Sequence, residues 1–257
     1  MRISILGSGS EGNSTFVDAG DVAFLVDAGF SAKTLLGRLS SIGVHPSAIK
    51  AILITHEHSD HIKGAGVLSR KLGVPIYITP ESFHAAKDAI GNVCSDNVRF
   101  IEDEFMLDNV LIRPFDVSHD AVRTVGFRIE AANDKKVVIS TDIGCYPDAN
   151  RTFFEGANLL VLEANYDLEM LKSCSYPYHL KKRIHSPSGH LSNNDSAALI
   201  GDVFHPMLKK VYLAHISKNS NTYKLALDSV SDFLSAQNIN VDLEVAYQHT
   251  PTELFQL

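Results

Sequence analysis

The sequence predicts a mixed α/β fold in which helices pack on the outer faces of two β-sheets. Strand-like and helix-like segments interleave along all 257 residues, and each half of the chain runs from strands into helices. This order is typical of helices that cover two sheets rather than of a single doubly wound sheet. The chain is 45% hydrophobic and 21% charged, and no low-complexity tract or linker divides it. We therefore expect a full core and a single domain over residues 1–257.

The individual elements follow from the periodicity of the apolar residues. Strict alternation predicts strands, and apolar spacings of three and four predict amphipathic helices. In chain order, strands are predicted at 2–6, 14–19, 22–28, 51–55, 75–79, 109–117, 122–131, 136–140, 158–164, 211–214 and 241–247. Helices are predicted at 31–42, 62–72, 81–90, near 149–156, on both sides of the GHLSN run at 189–193, and at 223–237.

The glycine-rich loop at residues 7–12 matches the GxGxxG pattern of dinucleotide-binding proteins. In those proteins the loop opens a helix within a strand–helix–strand unit. Here the next segment alternates apolar residues around a Gly-Asp turn, which predicts a hairpin instead. We interpret the loop as a wall of an active site, where glycines let backbone amides approach an anion.

Composition narrows the functional classes. A net charge of −7 argues against a protein that coats nucleic acids, but it is compatible with a nuclease whose carboxylates hold metal ions. Three cysteines without a CxxC pair indicate free thiols in a reducing compartment. The N-terminus lacks a signal-peptide pattern and no apolar run is long enough to span a membrane. We therefore expect a cytoplasmic protein with no membrane partner.

The strongest chemical signal is the run THEHSDH at residues 55–61. An HExxH zinc site would need a histidine at position 60, where Asp60 stands. His56 and His58 instead face the same side of an extended segment, and Asp60 and His61 begin the next helix and point back to the same place. Three imidazoles and a carboxylate are ligands that a borderline divalent ion prefers. The run therefore predicts a metal site.

Further metal-competent side chains stand at the ends of apolar strands. Asp27, His119, Asp142, Glu163 and His215 each end or closely follow such a strand. Strands that deliver polar groups in this way predict a site gathered at one rim of the sheets. Together with residues 55–61, this set is large enough for two metal ions.

The segments LVDAG, THEHSDH, His119, STD and LAH, in this order, resemble the metallo-β-lactamase superfamily over essentially the whole chain. The resemblance implies a four-layer αββα sandwich and two divalent metal ions, Zn²⁺ or Mn²⁺. Asp27 resembles the aspartate that orients the ligand loop in this family. The implied ligands are His56, His58 and His119 for one ion, Asp60, His61 and His215 for the other, and Asp142 as the bridge.

Finer motifs resemble the YycJ (WalJ, VicX) branch of the superfamily: SGSEGNS, LEANYD, YPYHLKKRIHSPSGHLSN and LAHISKNSN. That branch implies a phosphodiesterase acting on nucleic acid, a 5′-directed DNA exonuclease, with DNA favoured over RNA as partner. The alternatives are a small-molecule or cyclic phosphodiesterase, another metallo-hydrolase of this fold, a tRNase Z-like RNA nuclease, and a metal-binding interaction protein without turnover. The sequence leaves open Zn²⁺ or Mn²⁺, DNA or RNA, end or internal cleavage, the pathway and the oligomeric state.

His190 and Glu163 are surplus to the implied ligand set. Likeness to tRNase Z-type relatives implies that Glu163 orients His190 and that His190 protonates the leaving oxygen. A hydroxide bridging the two metal ions would attack phosphorus. Asp60 is counted among the catalytic residues because it would hold one of those ions. A histidine that titrates near neutrality suits a general acid. The alternative is that His190 caps or packs against the following helix.

Five residues are predicted to bind substrate. Arg183 ends a local basic run and has the geometry to grip a phosphate. Ser10 lies in the glycine-rich loop and Asn13 directly follows it. Ser192 and Asn193 are predicted to cap the next helix and leave its N-terminus to receive a phosphate.

Overall fold

The structure, a computed structural model, describes residues 1–132, 134–146 and 148–257, without the side chain of Asp148. Its strands are β1 Arg2–Gly7, β2 Ser14–Asp18, β3 Ala23–Val26, β4 Ile49–Leu53, β5 Ile76–Ile78, β6 Val98–Phe100, β7 Phe105–Leu107, β8 Val110–Val117, β9 Thr124–Glu130, β10 Lys136–Ser140, β11 Leu159–Glu163, β12 Lys210–Ala214, β13 Asp242–Val245 and β14 Phe255–Gln256. Its α-helices are α1 Ala32–Ser41, α2 Ser59–Ile62, α3 Ala65–Leu72, α4 Pro80–Ile90, α5 Arg151–Phe154, α6 Leu168–Ser173, α7 Tyr178–Ile184, α8 Asn193–Val203 and α9 Tyr223–Ala236. None of these helices is long and apolar enough to cross a membrane.

The strands form two seven-stranded sheets with the same internal plan. The first has the order β14-β1-β2-β3-β4-β5-β6, and the second has the order β13-β12-β11-β10-β9-β8-β7. In the first sheet β14 to β3 pair antiparallel and β3 to β6 pair parallel. In the second, β7 to β10 pair antiparallel and β10 to β13 pair parallel. Parallel strands deliver their carboxyl ends to the same edge of a sheet, and this arrangement places the site.

The layers follow from alternation of side chains along each strand. On β11, Leu159 and Val161 join a core cluster that contains residues of both sheets, whereas Leu160 and Leu162 join the cluster beneath α8 and α9. The outer face of the first sheet is covered in the same way by α1, α3 and α4. Each strand is apolar on both faces because each sheet is buried on both. The four-layer αββα sandwich predicted from the sequence is confirmed.

The element predictions differ from the structure at a few places. The predicted helix over 62–72 is two helices, α2 and α3, which meet at Gly64. A Cβ at Gly64 would lie 2.1 Å from the carbonyl oxygen of Phe30, so only glycine allows this close approach. Strands β6, β7 and β14 are two or three residues long, and their pattern is too short to predict. The glycine-rich loop leads into strand β2 rather than a helix, as expected.

Candidate metal centre and catalytic groups

The side chains predicted to bind metal converge at one edge of the sandwich. Residues 55–61 follow β4 of the first sheet, and the other predicted ligands follow β8, β10 and β12 of the second. Within each of four groups the ligand atoms lie within 4.8 Å of one another. The groups are His56, His58 and His119; Asp60, His61 and His215; His56, His61 and Asp142; and Asp142, Glu163, His190 and His215. Asp142 is therefore placed where the two predicted ligand sets meet.

The donor atoms in this cluster fit a metal. His56 Nε2 and His215 Nε2 are buried and have no hydrogen-bond partner among the described residues. A buried polar atom without a partner is costly, so native structures rarely leave several together. Imidazole nitrogens and a carboxylate that face one another in this way have the chemistry of a divalent-metal site.

The electrostatics of the cluster favour a bound cation. Burial alone would lower the pKa of His61, but the facing carboxylates of Asp27 and Asp142 raise it well above its usual range. The pKa of His215 is likewise raised, by Asp142, Asp60 and Glu163 against the effect of burial. Positive charge is therefore stabilised here, as protons or as metal ions. Because ions must displace those protons, their binding should weaken as the pH falls.

Asp27 lies behind the cluster and holds its ligand loop. Its carboxylate accepts hydrogen bonds from Thr55 N at 2.9 Å, Thr55 Oγ1 at 3.0 Å and His61 Nδ1 at 2.7 Å. The bond to Nδ1 turns Nε2 of His61 toward Asp60 and Asp142. This is the orienting position that the sequence predicts for Asp27.

Three of these residues adopt a backbone conformation that non-glycine residues rarely use. Asp27, Asp142 and His215 have φ values of 63°, 57° and 54°. Each closely follows a buried strand, and the left-handed turn directs its side chain into the cluster at once. Such conformations cost about 1–3 kcal/mol each and concentrate at functional sites.

Glu163 is fully buried and fixes two histidines. Its Oε1 accepts hydrogen bonds from His190 Nδ1 and from His215 Nδ1, both at 2.8 Å. Its Oε2 accepts from the backbone amides of Ile143 at 3.0 Å and Leu191 at 3.1 Å. Burial alone would raise the pKa of Glu163, but the facing His190 and His215 lower it to about 2. It therefore stays ionised and accepts four hydrogen bonds near neutral pH.

His190 lies beside the cluster with one nitrogen engaged. Because Nδ1 donates to Glu163, Nε2 is the nitrogen left for chemistry. The ring centroid is 5.1 Å from that of His119 and 5.3 Å from that of His215, and 16% of the side chain is exposed. The cap of α8 is Ser192, whose side chain accepts from Asp195 N. Ser192, and not His190, is therefore the N-cap of α8.

The loop before His190 also positions a predicted ligand. Gly189 O accepts a hydrogen bond from His119 Nδ1 at 3.0 Å, which leaves His119 Nε2 to face Asp142. A Cβ at Gly189 would lie 2.2 Å from Ile184 O and 2.3 Å from Arg183 O. The close packing of this loop thus requires glycine.

The five predicted substrate-binding residues fall into two groups, two exposed and three buried. Ser10 is exposed beside Asp60, and Arg183 is exposed near His119. Arg183 Nε donates to Asp120 Oδ2, and Asp120 Oδ1 lies 3.2 Å from His119 Nε2.

The other three are buried within the protein, which corrects their predicted role. Asn13 Nδ2 lies 3.1 Å from His61 Nε2 and 3.4 Å from Asp60 Oδ2, so Asn13 supports the ligands. Ser192 caps α8 as predicted, but the amides of Asn193 and Asp195 are already bound to Tyr166 O and Ser192 Oγ. The Asn193 side chain pairs with Asn221. We therefore assign no phosphate to the start of α8.

Sequence reasoning missed several residues that contact the cluster. Asp120 links His119 to Arg183, and its only signal was its place directly after His119. Asn165 donates from Nδ2 to the carbonyl of His215 at 2.8 Å, and Ser8 Oγ accepts from His215 N at 2.8 Å. Neither has a local sequence signal, because the partners are 50 and 207 positions apart.

Comparison with known proteins bears on the family. Residues 23–216 match the family described as "Beta-lactamase superfamily domain". The chain is 37% identical over 243 residues to "Exodeoxyribonuclease YycJ" of Bacillus anthracis, covering 94% of this chain and 92% of that protein. It is 38% identical over 248 residues to "Exodeoxyribonuclease WalJ" of Streptococcus pneumoniae serotype 2, covering 95% and 92%.

Among solved structures, the metallo-beta-lactamase fold protein YhfI from Bacillus subtilis superposes with a TM-score of 0.74 at 17% sequence identity. The superposition covers 98% of both chains. At this identity the likeness concerns the fold alone, and it agrees with the observed αββα layers.

Proposed function

The chain belongs to the beta-lactamase superfamily, in the branch of the YycJ and WalJ proteins, and from this we propose that it is a metal-dependent exonuclease that degrades DNA from the 5′ end. Its relatives are named exodeoxyribonucleases and align with it over nearly their whole length. The observation that carries the proposal is the pair of His190 and Glu163 beside the convergent ligand cluster.

We propose two divalent ions, Zn²⁺ or Mn²⁺, as the cofactor. The seven side chains that would hold them are His56, His58, Asp60, His61, His119, Asp142 and His215. Bound ions of this kind supply an activated water molecule and neutralise charge on the phosphoryl oxygens. The unpartnered nitrogens of His56 and His215 and the placement of Asp142 between both groups support this assignment.

His190 is the proposed general acid. Cleavage of a phosphodiester expels an alkoxide, which is a poor leaving group unless a proton reaches it. His190 holds its Nδ1 proton against Glu163 and presents Nε2 at the edge of the cluster, where a proton on that nitrogen is delivered to the leaving oxygen. The hydrogen bond to Glu163 keeps the ring oriented.

Arg183 is the proposed contact for a backbone phosphate. Its guanidinium is half exposed and already pairs with the carboxylate of Asp120. A phosphate has the same sign of charge and a similar oxygen geometry, so it can take the place of Asp120. The position of Asp120 against His119 puts this contact within reach of a phosphodiester at the cluster.

The single domain over residues 1–257 and the cytoplasmic location are part of the proposal. A core cluster shared by both sheets supports the first. The three cysteines are free thiols, which supports the second.

An end-labelled nucleic acid panel tests the proposed activity. With Mn²⁺ or Zn²⁺, 5′-labelled duplex DNA should release short labelled products progressively, and closed circular DNA should stay intact. Asp142→Ala is the inactive control. Rapid cutting of closed circles, or activity confined to RNA, cyclic nucleotides or a lactam, would contradict a DNA exonuclease.

Arg183→Ala tests the phosphate contact. We expect weaker DNA binding and a salt dependence of binding that is flatter by about one unit of slope, because one phosphate contact is lost. Lys182→Ala removes the same charge at the neighbouring exposed position and should change the slope less. Equal effects of both variants would show that Arg183 acts only through general charge.

A further inference from the structure

A cavity of about 530 Å³ opens next to the proposed metal centre. Asp60, one of the proposed metal ligands, forms part of its wall, so the cavity borders the proposed metal centre. Neither His190 nor the residues that His190 contacts, Glu163 and His119 among them, line it. The volume lies within the range of about 300–1,000 Å³ that accommodates small-molecule ligands. We refer to it as the Asp60 cavity.

Arg38 in the Asp60 cavity is held rigidly and has no counter-charge. Its guanidinium carbon stacks 3.9 Å from the ring centroid of Phe30. Nη1 donates to Leu6 O at 2.9 Å and Nη2 donates to Gln248 O at 3.2 Å. Within residues 1–132, 134–146 and 148–257, no carboxylate forms an ion pair with it. A stacked, unneutralised guanidinium is suited to bind a phosphate.

A second cation stands on the rim of the cavity. Lys63 is exposed and its side chain makes no hydrogen bond or ion pair among the described residues. The one carboxylate in the wall besides Asp60 is Glu11, and it is neutralised by Lys218 at 2.8 Å. Ser10 adds a hydroxyl near Asp60. Apart from Asp60, the wall therefore offers a phosphate the two cations Arg38 and Lys63, while the carboxylate of Glu11 is paired with Lys218.

We propose that the Asp60 cavity binds the nucleotide that stays esterified to the cleaved phosphate, with the next phosphate of that strand bound between Arg38 and Lys63. This inference rests on the proposed function, which puts the scissile phosphate at the cluster. The leaving oxygen departs toward His190, which lies outside the cavity, so the retained nucleoside occupies the cavity. Consecutive phosphates of one strand are separated by one nucleoside, which the cavity accommodates.

Two chromogenic substrates test this inference. Both are p-nitrophenyl esters of thymidine 5′-phosphate, so the thymidine is retained and p-nitrophenol leaves; one carries a 3′-phosphate and the other does not. We expect the 3′-phosphate to raise kcat/KM of the metal-loaded protein about tenfold, mainly through KM, as a charge-assisted contact would. Lys63→Ala and Arg38→Gln should bring this ratio toward one. Lys33→Ala removes a charge from α1 outside the cavity and should keep it.

The two variants guard against a folding artefact. Arg38→Gln also removes bonds to two carbonyls and lowers stability, whereas the side chain of Lys63 makes no hydrogen bond in the described part of the fold. A ratio near one in the unaltered protein, or a ratio that survives Lys63→Ala, would overturn the inference.

Calorimetry distinguishes failure of the proposed function from failure of the inference about the Asp60 cavity. If neither ester nor DNA is hydrolysed, the proposed activity fails, and binding of thymidine 3′,5′-bisphosphate to the metal-loaded protein still tests the cavity. Affinity that falls in Lys63→Ala but not in Lys33→Ala supports the cavity. Absence of binding, or equal affinity in all variants, refutes it.

Discussion

Glu163 connects two histidines that have different proposed tasks. One of its oxygens accepts from both His190 and His215, and the other accepts from two backbone amides. The proposed general acid and a proposed metal ligand therefore share one buried carboxylate. A change at Glu163 must affect both, whereas a change at His190 removes only the proton donor.

His190→Ala separates the donor from the metal centre. We expect metal content and fold to be retained, and turnover on DNA to fall by roughly 10²–10⁴-fold, the usual effect of losing a positioned general acid. With a p-nitrophenyl phosphodiester the loss should be much smaller, because that leaving group needs little protonation. Parallel rate measurements on both substrates decide the point.

His185→Ala is the matched control, since His185 lies in the same segment and bonds to Tyr166 OH instead of the cluster. Loss of a metal ion in His190→Ala would make His190 a ligand. An equal loss of rate on both substrates would exclude proton donation.

Glu163→Gln should give a combined defect. A glutamine side chain has the same size but accepts hydrogen bonds only at its oxygen. Its NH2 group would therefore face N–H donors that the carboxylate of Glu163 now accepts from. We expect metal affinity to fall by about 10–100-fold, as for other carboxylates that orient a metal-bound histidine. Competition with a metallochromic chelator measures this affinity. An effect on turnover with unchanged metal affinity would show that the bond to His215 is unimportant.

At the scale of elements, the strands deliver ligands but one loop aligns them. The segment between α7 and α8 supplies both His190 and the carbonyl of Gly189 that holds His119. It is packed tightly enough that Gly189 N donates to Ser186 O at 2.8 Å and His190 N donates to Ile184 O at 3.0 Å. The loop therefore couples the proposed acid to the metal centre.

Gly189→Ala should displace this loop. The added Cβ would meet two carbonyl oxygens at 2.2 and 2.3 Å, and neither can yield without a backbone shift. We expect the free energy of unfolding to fall by roughly 1–3 kcal/mol. Turnover should fall by about 10²-fold, the effect of an approximately 1 Å misplacement. Chemical denaturation and DNA cleavage assays measure the two effects.

Gly37→Ala is the control for Gly189→Ala. Gly37 lies in α1, and a Cβ added there would meet no atom within 4 Å, so alanine should stabilise the helix by about 0.5–1 kcal/mol. If Gly189→Ala behaved like Gly37→Ala, the tight packing around the loop would not limit the site.

At the scale of the whole molecule, the proposed metal centre joins the two sheets. His56, His58, Asp60 and His61 follow a strand of the first sheet, and the remaining ligands follow strands of the second. Bound ions would therefore add to the apolar core and the hydrogen bonds, such as that of His215 N to Ser8 Oγ, that already join the two layers. Without ions, the buried ligand atoms lose their partners while the carboxylates repel one another.

Chelation should therefore lower the melting temperature. Ligand at about 100 times its Kd stabilises a fold by about 2.7 kcal/mol. For a chain of this size that corresponds to roughly 5–10 °C. We expect a decrease of this order, reversed by Zn²⁺ or Mn²⁺, and close to two ions per chain by elemental analysis. Scanning calorimetry with and without chelator measures the decrease in melting temperature.

The Asp142→Ala variant should bind fewer ions at both proposed metal positions, because Asp142 is the proposed bridge. Its melting temperature should therefore respond little to chelator. A single ion per chain that persists in Asp142→Ala would contradict the dinuclear assignment.

Local sequence determined the elements and much of the ligand set. Continuous apolar runs mark strands β10, β11 and β12, because a strand buried on both faces is apolar at successive positions. The run THEHSDH places four of the proposed ligands within seven residues, so their proximity follows from chain connectivity alone. Asp27 and Asp142 stand out in the sequence because each closely follows an apolar strand, and parallel strands of one sheet end at a common edge.

Tertiary structure decided how those groups are used. The sharing of Glu163 by His190 and His215, the burial of Asn13 and Asn193, and the ion pair of Arg183 with Asp120 all join residues distant in the sequence. The Asp60 cavity likewise combines Arg38 of α1 with Lys63, which follows α2. Side-chain direction and burial depend on which elements pack together, and sequence periodicity describes only one element at a time. The metal-competent side chains were therefore visible in local pattern and their assignment as ligands follows from the resemblance to the superfamily, whereas the partners that orient them became visible only in the packed fold.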